Sequence, residues 1–130
     1  METRHIRNGM GSVRAYVHGR LDLIDFVTRT FDAQELERNT VPNGFHIETR
    51  IGDSVIVLEA QAQPRETATR GSIYVYVQDV DEVYHRALAA GATSITAPED
   101  RPYAERSAGV RDSFGNIWYI STYTGSRADL

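Results

Sequence analysis

The two halves of the chain carry the same order of predicted elements, and this repeat limits the possible folds more than any other feature. Apolar periodicity in the first half predicts strand 12–19, helix 21–36, strand 45–51 and strand 54–60. Residues 39–44, "NTVPNG", have the composition of a loop. A polar, proline-containing linker over residues 61–71 then separates the first half from the second.

The second half repeats the order of the first. Its patterns predict strand 72–78, helix 79–92, an extended piece at 93–97, strand 108–113 and strand 116–123. Asp79 suits the helix N-cap and Glu82 follows it at the spacing of a capping box, while Gly91 suits the helix end. Residues 98–106 are predicted to form a loop.

Each half therefore reads as a βαβββ module, with one strand of the first half poorly marked. We predict an α+β fold in which two modules curve into a cup-shaped mixed sheet, with a helix covering the other face of each module. The expected organisation is a flexible lead-in, one domain and a tail. The lead-in is 1–10, the domain 11–123 (module one about 11–60, linker 61–71, module two about 72–123) and the tail 124–130.

Composition excludes several classes of function. The chain has 130 residues, a net charge of −4 and no cysteine, so thiolate chemistry and cysteine-ligated metals are unavailable. The acidic balance argues against nucleic-acid binding, and no apolar run approaches the length of a membrane span. All 14 basic residues are arginine, which excludes lysine Schiff-base catalysis. We expect a cytoplasmic protein.

Three stretches resemble one family: "GFHIETRIGDSVIVL", "SIYVYVQDVDEVYHRALAAGAT" and "AGVRDSFGNIWYI". They are similar in order and spacing to the vicinal oxygen chelate superfamily, in its glyoxalase/bleomycin resistance branch and the PhnB-like subgroup. The resemblance covers about residues 11–123. It implies paired βαβββ modules around a cup, and a homodimer whose subunits often complete each other's cups. It does not choose among isomerases, thiol transferases, dioxygenases and metal-free drug-binding proteins.

The resemblance also identifies four positions where metal-dependent members carry histidine, glutamine or glutamate. In this sequence they fall on Ser12, Ile56, Ser72 and Tyr119. These side chains lack the charge and basicity that a divalent metal site requires. Shifting the alignment by one residue brings in only glycine, aliphatic residues and tryptophan. We therefore expect neither a metal nor another cofactor.

Strand alternation places a set of hydroxyl-bearing and aromatic side chains on the predicted cup face. The candidate ligand-binding residues are Ser12, Arg14, Tyr16, Ile56, Ser72, Tyr74, Tyr76, Tyr103, Arg106 and Tyr119. Tyrosines offer flat apolar area with a polar handle, and an arginine can pair with an anion or stack on a planar group. Tyr103 and Arg106 match a Tyr-x-x-Arg stretch that lies beside the cup in the similar subgroup.

Two other polar residues, His46 and Glu59, are predicted to have structural roles. His46 is predicted to be a strand residue bonded to a neighbour, ahead of a catalytic base. Glu59 shares a face with Val55 and Val57 and is expected to be a surface group at a strand end, unless a bulge turns it inward.

The sequence is compatible with three functions. The first is a metal-free protein that binds a planar or aromatic small molecule, such as an antibiotic, and sequesters it. The second is an enzyme of the same superfamily, in which a tyrosine, His46 or Arg14 would act as acid, base or oxyanion partner. The third is a structural or regulatory domain whose cup is plugged by its own side chains.

Overall fold

A computed structural model describes residues 2–125, and the predicted α+β architecture is confirmed. Ten helices and strands follow a short 3₁₀ turn at Arg7–Gly9. They are β1 (Tyr16–Gly19), α1 (Asp22–Phe31), β2 (Gln34–Val41), β3 (Gly44–Ile51), β4 (Ser54–Gln61), β5 (Ser72–Tyr76), α2 (Val80–Ala89), β6 (Thr93–Arg101), β7 (Glu105–Arg111) and β8 (Ile117–Tyr123). Five of the seven residues in the predicted tail, 126–130, lie outside the described range.

The eight strands form two four-stranded mixed sheets with matching strand orders. The first sheet has the order β1-β4-β3-β2 and the second has the order β5-β8-β7-β6. In each sheet the first strand pairs in parallel with the last, and the remaining pairs are antiparallel. The two βαβββ modules inferred from the sequence therefore have the same topology.

One hydrophobic core joins the two modules. Trp118 of β8 is fully buried, and its ring centroid lies 5.6 Å from Phe26 and 5.5 Å from Phe31, both on α1. The helices are also linked reciprocally: Arg29 of α1 donates to the carbonyl of Ala89, and Arg86 of α2 donates to the carbonyl of Thr30. Each cation thus meets a carbonyl near the C-terminal end of the other helix, where the helix dipole favours positive charge.

The turn before β8 is organised by the buried carboxylate of Asp112. Its Oδ1 accepts three hydrogen bonds from successive backbone amides, each 3.0 Å long, and its Oδ2 accepts from Asn116 and from the Trp118 indole at 2.9 Å. Asn116 in turn donates to the carbonyl of His18 in β1. This turn therefore fixes β8 and ties module two to module one.

Two predicted boundaries in module one are wrong. The first strand begins at Tyr16, not at residue 12, and Val13 is 91% exposed instead of packing under a helix. The helix ends at Phe31 because Asp32 takes a left-handed conformation, with φ 53° and ψ 37°. The chain then forms β2, which the sequence did not reveal: β2 is a polar edge strand without apolar alternation.

The loop expected at residues 98–106 is a hairpin. β6 runs through Arg101, β7 starts at Glu105, and the two strands pair antiparallel. Pro98 lies within β6, which tolerates it because β6 is at the edge of its sheet. Neither helix among the described residues is long and apolar enough to span a bilayer.

Candidate functional site

Both sheets bury the face that meets the helices. We call the opposite face of each sheet its open face, although residues 7–14 lie over that of module one. In module two, Val75, Trp118 and Ile120 belong to the common core. Their neighbours Tyr74, Tyr76 and Tyr119 are 47%, 62% and 39% exposed, respectively. Since strand residues alternate between faces, these tyrosines lie on the open face of the second sheet.

Tyr74, Tyr76 and Tyr119 form a contiguous group, here called the tyrosine cluster. The Tyr74 and Tyr76 ring centroids are 5.5 Å apart at an interplanar angle of 62°, and those of Tyr74 and Tyr119 are 6.0 Å apart at 35°. Tyr74 pairs with Tyr119 across the parallel ladder of β5 and β8, which accounts for their contact. The cluster is thus a tilted aromatic surface exposed to solvent.

A buried carboxylate on the same face of the sheet accepts hydrogen bonds from two tyrosines of the cluster. Glu105 projects from β7, is 8% exposed, and accepts hydrogen bonds from the hydroxyls of Tyr74 and Tyr76, one on each carboxylate oxygen. The Ser121 hydroxyl donates to the Tyr74 hydroxyl at 2.8 Å. Two of the three rings are therefore positioned by hydrogen bonds through their hydroxyls, and their exposed surface is left for a ligand.

The same hydrogen bonds shift the pKa values of Tyr74, Tyr76 and Glu105. The phenol of Tyr74, followed by that of Tyr76, lowers the pKa of Glu105, so its carboxylate is charged at neutral pH. The bond to Glu105 raises the pKa of Tyr76 to about 12. Burial, followed by the bond to Glu105, raises the pKa of Tyr74. The site combines one anion with phenols that stay protonated.

The hairpin between β6 and β7 brings a further aromatic side chain close to this cluster. Tyr103 is 60% exposed, and its phenol contributes to the raised pKa values of both Tyr74 and Tyr76. Tyr123, at the end of β8, is 37% exposed and pairs with Glu105 across the ladder.

The open face of module one is charged instead of aromatic. Glu48 of β3 and Glu59 of β4 are 5% and 7% exposed. His46 lies between them, with its Nε2 3.5 Å from Glu48 and its Nδ1 3.5 Å from Glu59. Tyr16 of β1 donates to Glu59 at 3.0 Å. We call Glu48, Glu59, His46 and Tyr16 the polar cluster.

Two arginines offset the charge of the polar cluster. Arg14 lies 3.5 Å from Glu48 and Arg65 lies 3.7 Å from Glu59. The facing carboxylate oxygens, Oε2 of Glu48 and Oε1 of Glu59, are buried and lack a hydrogen-bond partner among the described residues. Both of these oxygens face a ring nitrogen of His46, which is too far away for a good hydrogen bond.

The segment before β1 lies over the polar cluster. Arg14 donates to the carbonyls of Gly11 at 3.1 Å and Met10 at 2.8 Å, and also to that of Arg7. Arg7 pairs with Glu37 of β2. These contacts tie residues 7–14 to the first sheet and commit the Arg14 guanidinium to the protein itself.

The structure separates the predicted ligand-binding residues into several groups. Tyr74, Tyr76 and Tyr119 come together on module two, with Ser72 exposed at the start of β5 and Tyr103 nearby. Tyr16 and Arg14 join the polar cluster on module one, and exposed Ser12 lines a cavity of about 420 Å³ beside them. No described contact joins the two groups into one cup.

Two predicted ligand-binding residues lie on the opposite face of their sheet. Ile56 belongs to the hydrophobic core, because Val57 is the residue that pairs with Tyr16 and shares its face. Arg106 points toward α2, where it contacts Asp81 at 2.9 Å, and it also contacts Asp100 at 3.3 Å. Ile56 nevertheless lines a cavity of about 190 Å³ together with Tyr74 and Tyr76.

The sequence did not allow three acidic residues to be assigned to the open faces. Glu105 fell in the expected loop at 98–106, so its face could not be assigned. Glu59 was expected at the surface, whereas its pairing with His18 and His46 places it on the open face of module one. Glu48 was not singled out, although its alternation with His46 in "FHIETRI" carried the signal.

The four positions that hold metal ligands in related proteins do not fit a metal here. Ser12, Ser72 and Tyr119 offer neutral hydroxyls, and Ile56 lies on the core side of β4. Among residues 2–125, no group of three or more histidine, cysteine, aspartate or glutamate side chains is arranged to hold a metal ion.

Comparison with known families agrees with this architecture. Residues 13–120 match the model of the glyoxalase/bleomycin resistance protein/dioxygenase superfamily. The chain belongs to this superfamily. The match spans both βαβββ modules, and so includes the tyrosine cluster and the polar cluster.

Two mycobacterial proteins of uncharacterized function are similar in sequence. Mb0911c of Mycobacterium bovis is 36% identical over 109 residues, which cover 75% of this chain and 72% of that protein. Rv0887c of Mycobacterium tuberculosis is 36% identical over 109 residues, which cover 75% of this chain and 64% of that protein.

Solved structures show the same fold. A glyoxalase/bleomycin resistance protein/dioxygenase family enzyme from Burkholderia phytofirmans has a TM-score of 0.71 at 25% identity, covering 88% of this chain and 99% of that one. TioX from Micromonospora has a TM-score of 0.67 at 24% identity, covering 86% and 99%. The fosfomycin resistance protein FosX from Listeria monocytogenes has a TM-score of 0.68 at 16% identity, covering 92% and 97%. At these identities, the likeness to TioX and FosX concerns the fold alone.

Proposed function

We propose that this protein is a metal-free binding protein that holds a planar or aromatic small molecule against the tyrosine cluster of module two. The observation that carries this proposal is the exposure of three adjacent tyrosine rings, two of which are fixed by a buried carboxylate. Large exposed aromatic patches on soluble domains commonly mark binding sites. The physiological role in this proposal is sequestration of a compound such as an antibiotic.

The cluster meets the physical needs of such binding. The rings of Tyr74 and Tyr76 are held through their hydroxyls, so little side-chain entropy is lost when a ligand stacks on them. Each ring contact is worth about 1 kcal/mol beyond the area buried. The Tyr119 hydroxyl has no hydrogen-bond partner within residues 2–125, which leaves it available to orient a polar group of the ligand.

The comparisons show that this fold also occurs in a resistance protein, and they name no ligand for this chain. FosX, which shares the fold, is a fosfomycin resistance protein. We place this chain in the PhnB-like branch because of the "FHIETRIGD" and "GNIWY" stretches. We also propose a cytoplasmic location, since the chain has no cysteine.

We further propose that the protein is a homodimer in which a second copy covers part of an open sheet face. Support comes from the exposure of the tyrosine cluster on a face that no other part of the described chain covers. Sedimentation equilibrium across a range of concentrations tests the dimer, and a single species of monomer mass would reject it.

A ligand panel with matched variants tests the binding proposal. Planar heteroaromatic compounds should raise the melting temperature of the protein, since a ligand that binds only the folded state stabilises it. The double variant Tyr74→Ala/Tyr76→Ala should lose this response. Tyr16→Ala removes an equally exposed tyrosine from module one and should retain it. If no compound of a broad panel shifts the melting temperature, the proposal fails.

A second candidate function is catalysis at the polar cluster of module one. The observation that favours it is the contact of Tyr16 with buried Glu59 beside His46, which places three groups capable of proton transfer together. Turnover of a bound compound that is abolished by His46→Ala would move the protein to the enzyme class. Stoichiometric Zn, Ni, Mn or Fe in protein purified without added metal would contradict the metal-free proposal.

A further inference from the structure

We propose that the tyrosine cluster selects organic cations: planar aromatic cations or quaternary ammonium compounds. This inference rests on the proposed binding function and names the charge of the ligand, which the family membership leaves open. Three features of the described residues carry it: the exposure of the tilted rings, the buried anion bonded to two of their hydroxyls, and the acidic side chains around Tyr76.

The geometry of the rings suits a cation. The planes of Tyr74 and Tyr76 meet at 62° and those of Tyr74 and Tyr119 at 35°, so the rings do not form one flat surface. Tyr74 and Tyr76 are in edge-to-face contact, and a cation can bind over the exposed face of a tyrosine ring, where the ring quadrupole attracts it. A flat neutral ligand can stack on only one of these rings at a time.

The anion bonded to the phenols of Tyr74 and Tyr76 adds to this attraction. The charged carboxylate of Glu105 is bonded to neutral phenols and, among the described residues, forms no salt bridge. Its charge is therefore not cancelled locally, in contrast to Glu48 and Glu59 of module one. Donation of a phenol proton to a carboxylate also polarises the ring, which strengthens its interaction with a cation.

The arginines near Glu105 are committed to other partners. Arg101, which pairs with Glu105 across the strands, donates to Ser107 at 3.0 Å and forms an ion pair with Glu99. Arg106 points away toward Asp81 of α2. Neither arginine therefore forms an ion pair with the carboxylate of Glu105.

Three cavities in the described part of the chain share Tyr76, and two of them have acidic side chains in their walls. One cavity, of about 190 Å³, is lined by Tyr74, Tyr76 and Asp53 together with the β3–β4 turn. The other, of about 330 Å³, includes four charged groups at its wall: Asp32, Asp79, Glu82 and Arg86. Arg86 is already bonded to Glu82 and to the carbonyl of Thr30. The surroundings of Tyr76 are thus negative overall, which favours cations and repels anions.

The test compares ligands that match in shape and differ in charge. Choline is compared with 3,3-dimethylbutan-1-ol, and N-methylacridinium with acridine, at about pH 8, where acridine is neutral and the Glu105 carboxylate is ionised. Calorimetric titration should give about tenfold tighter binding of the cation in at least one pair. Equal affinities within both pairs would overturn the inference and leave the binding function standing. If none of the four compounds nor any neutral planar compound binds, the binding function itself fails.

Variants locate the source of the preference. Glu105→Gln should weaken binding of the cation about tenfold and leave that of acridine unchanged. Glu66→Gln removes the same charge from the exposed linker and should change neither affinity. Asp53→Asn, at the cavity rim, should weaken binding of the cation about threefold, and it gives an independent reading if Glu105→Gln does not fold. A cation preference that persists in every folded variant at Glu105 and Asp53 would overturn the inference.

Discussion

The open faces of the two modules share one topology and differ in how they treat their buried carboxylates. On module one, Glu48 and Glu59 face His46, and each lies within 4 Å of an arginine, while residues 7–14 lie across the sheet. On module two, Glu105 faces neutral phenols and nothing in the described chain covers the rings. The arginines offset the charges of module one, where one buried oxygen each of Glu48 and Glu59 lacks a hydrogen-bond partner among the described residues. Module two combines a carboxylate without an arginine partner with exposed rings, and this is the face that we propose for ligand binding.

The difference comes from the side chains at matching places in the ladders. Tyr16 of β1 pairs with Val57 of β4, and Tyr74 of β5 pairs with Tyr119 of β8. Module one therefore has one tyrosine above an aliphatic neighbour, while module two has two adjacent rings. A duplicated unit can thus keep one face for stability and use the other for recognition.

Equal ligand binding at both open faces would contradict the proposed difference between the two modules. Replacing Tyr74 and Tyr76 together with alanine should lower the affinity for N-methylacridinium about 100-fold, since two ring contacts and the orientation of Glu105 are lost. Tyr16→Ala should change the same affinity less than about twofold. Calorimetric titration measures both, and a comparable loss in Tyr16→Ala would show that module one takes part in binding.

Stability should depend on the carboxylates in the opposite sense. Glu48→Ala should lower the free energy of unfolding by about 2 kcal/mol, because it leaves the mostly buried Arg14 without its anionic partner. Glu105→Ala should cost less than about 1 kcal/mol, since the exposed phenols of module two can bond to water instead. Urea unfolding followed by circular dichroism gives both values, and a larger loss in Glu105→Ala would reverse the assignment of roles.

Alkaline titration should identify the phenols bonded to Glu105. The folded pKa of Tyr76, about 12, lies above the ordinary value of 10.0. Its contribution to stability is therefore complete below about pH 10 and is lost as the pH rises toward about 12. Phenolate absorbance should show at least one of the seven tyrosines ionising late.

Two variants check the assignment of this late ionisation. Tyr76→Phe should remove it, and Glu105→Gln should move it back toward about pH 10. On the acid side the sign is opposite: the lowered pKa of Glu105 gives stability that is present above its unfolded value and is lost as the pH falls through its folded pKa. An unchanged titration curve in Glu105→Gln would contradict the hydrogen-bond assignment.

The smallest expected effect concerns a single hydroxyl on module one. Tyr16→Phe removes the donor to Glu59 and should lower the free energy of unfolding by about 1 kcal/mol, with ligand binding unchanged. The matched change on module two, Tyr74→Phe, should alter ligand affinity more than stability. Thermal unfolding of both variants with and without N-methylacridinium distinguishes the two outcomes.

The sequence allowed prediction of those elements whose pattern is strong. Residues 72–76 and 118–121 alternate between apolar side chains (isoleucine, valine or tryptophan) and tyrosine or serine, so this alternation was enough to assign the face that carries the tyrosine cluster. The edge strand β2 could not be found, because a strand that buries little carries no apolar period. The boundary of β6 and β7 was hidden by Pro98 and Pro102, which resemble loop signals.

Individual site residues were harder to predict than elements. Assigning Glu105 to a face required knowing that β7 starts there, and assigning Ile56 required the register of β4 against β1. An error of one residue reverses the face of every side chain in a strand. Arg106 was expected beside the cup because of the Tyr-x-x-Arg match, whereas the structure pairs it with Asp81 of α2.

The sequence by itself determined the repeated βαβββ order, the two helices, the absence of cysteine and lysine chemistry, and the concentration of tyrosines in module two. These features depend on local periodicity and composition, which need no partner strand. Only the tertiary structure decided that the phenols of Tyr74 and Tyr76 meet on Glu105, and that Glu48 and Glu59 are paired internally. The bonds of these phenols to carboxylates join strands whose residues are about 30 or more positions apart in the chain. They form only when the right strands are neighbours in the right register, which local sequence does not determine.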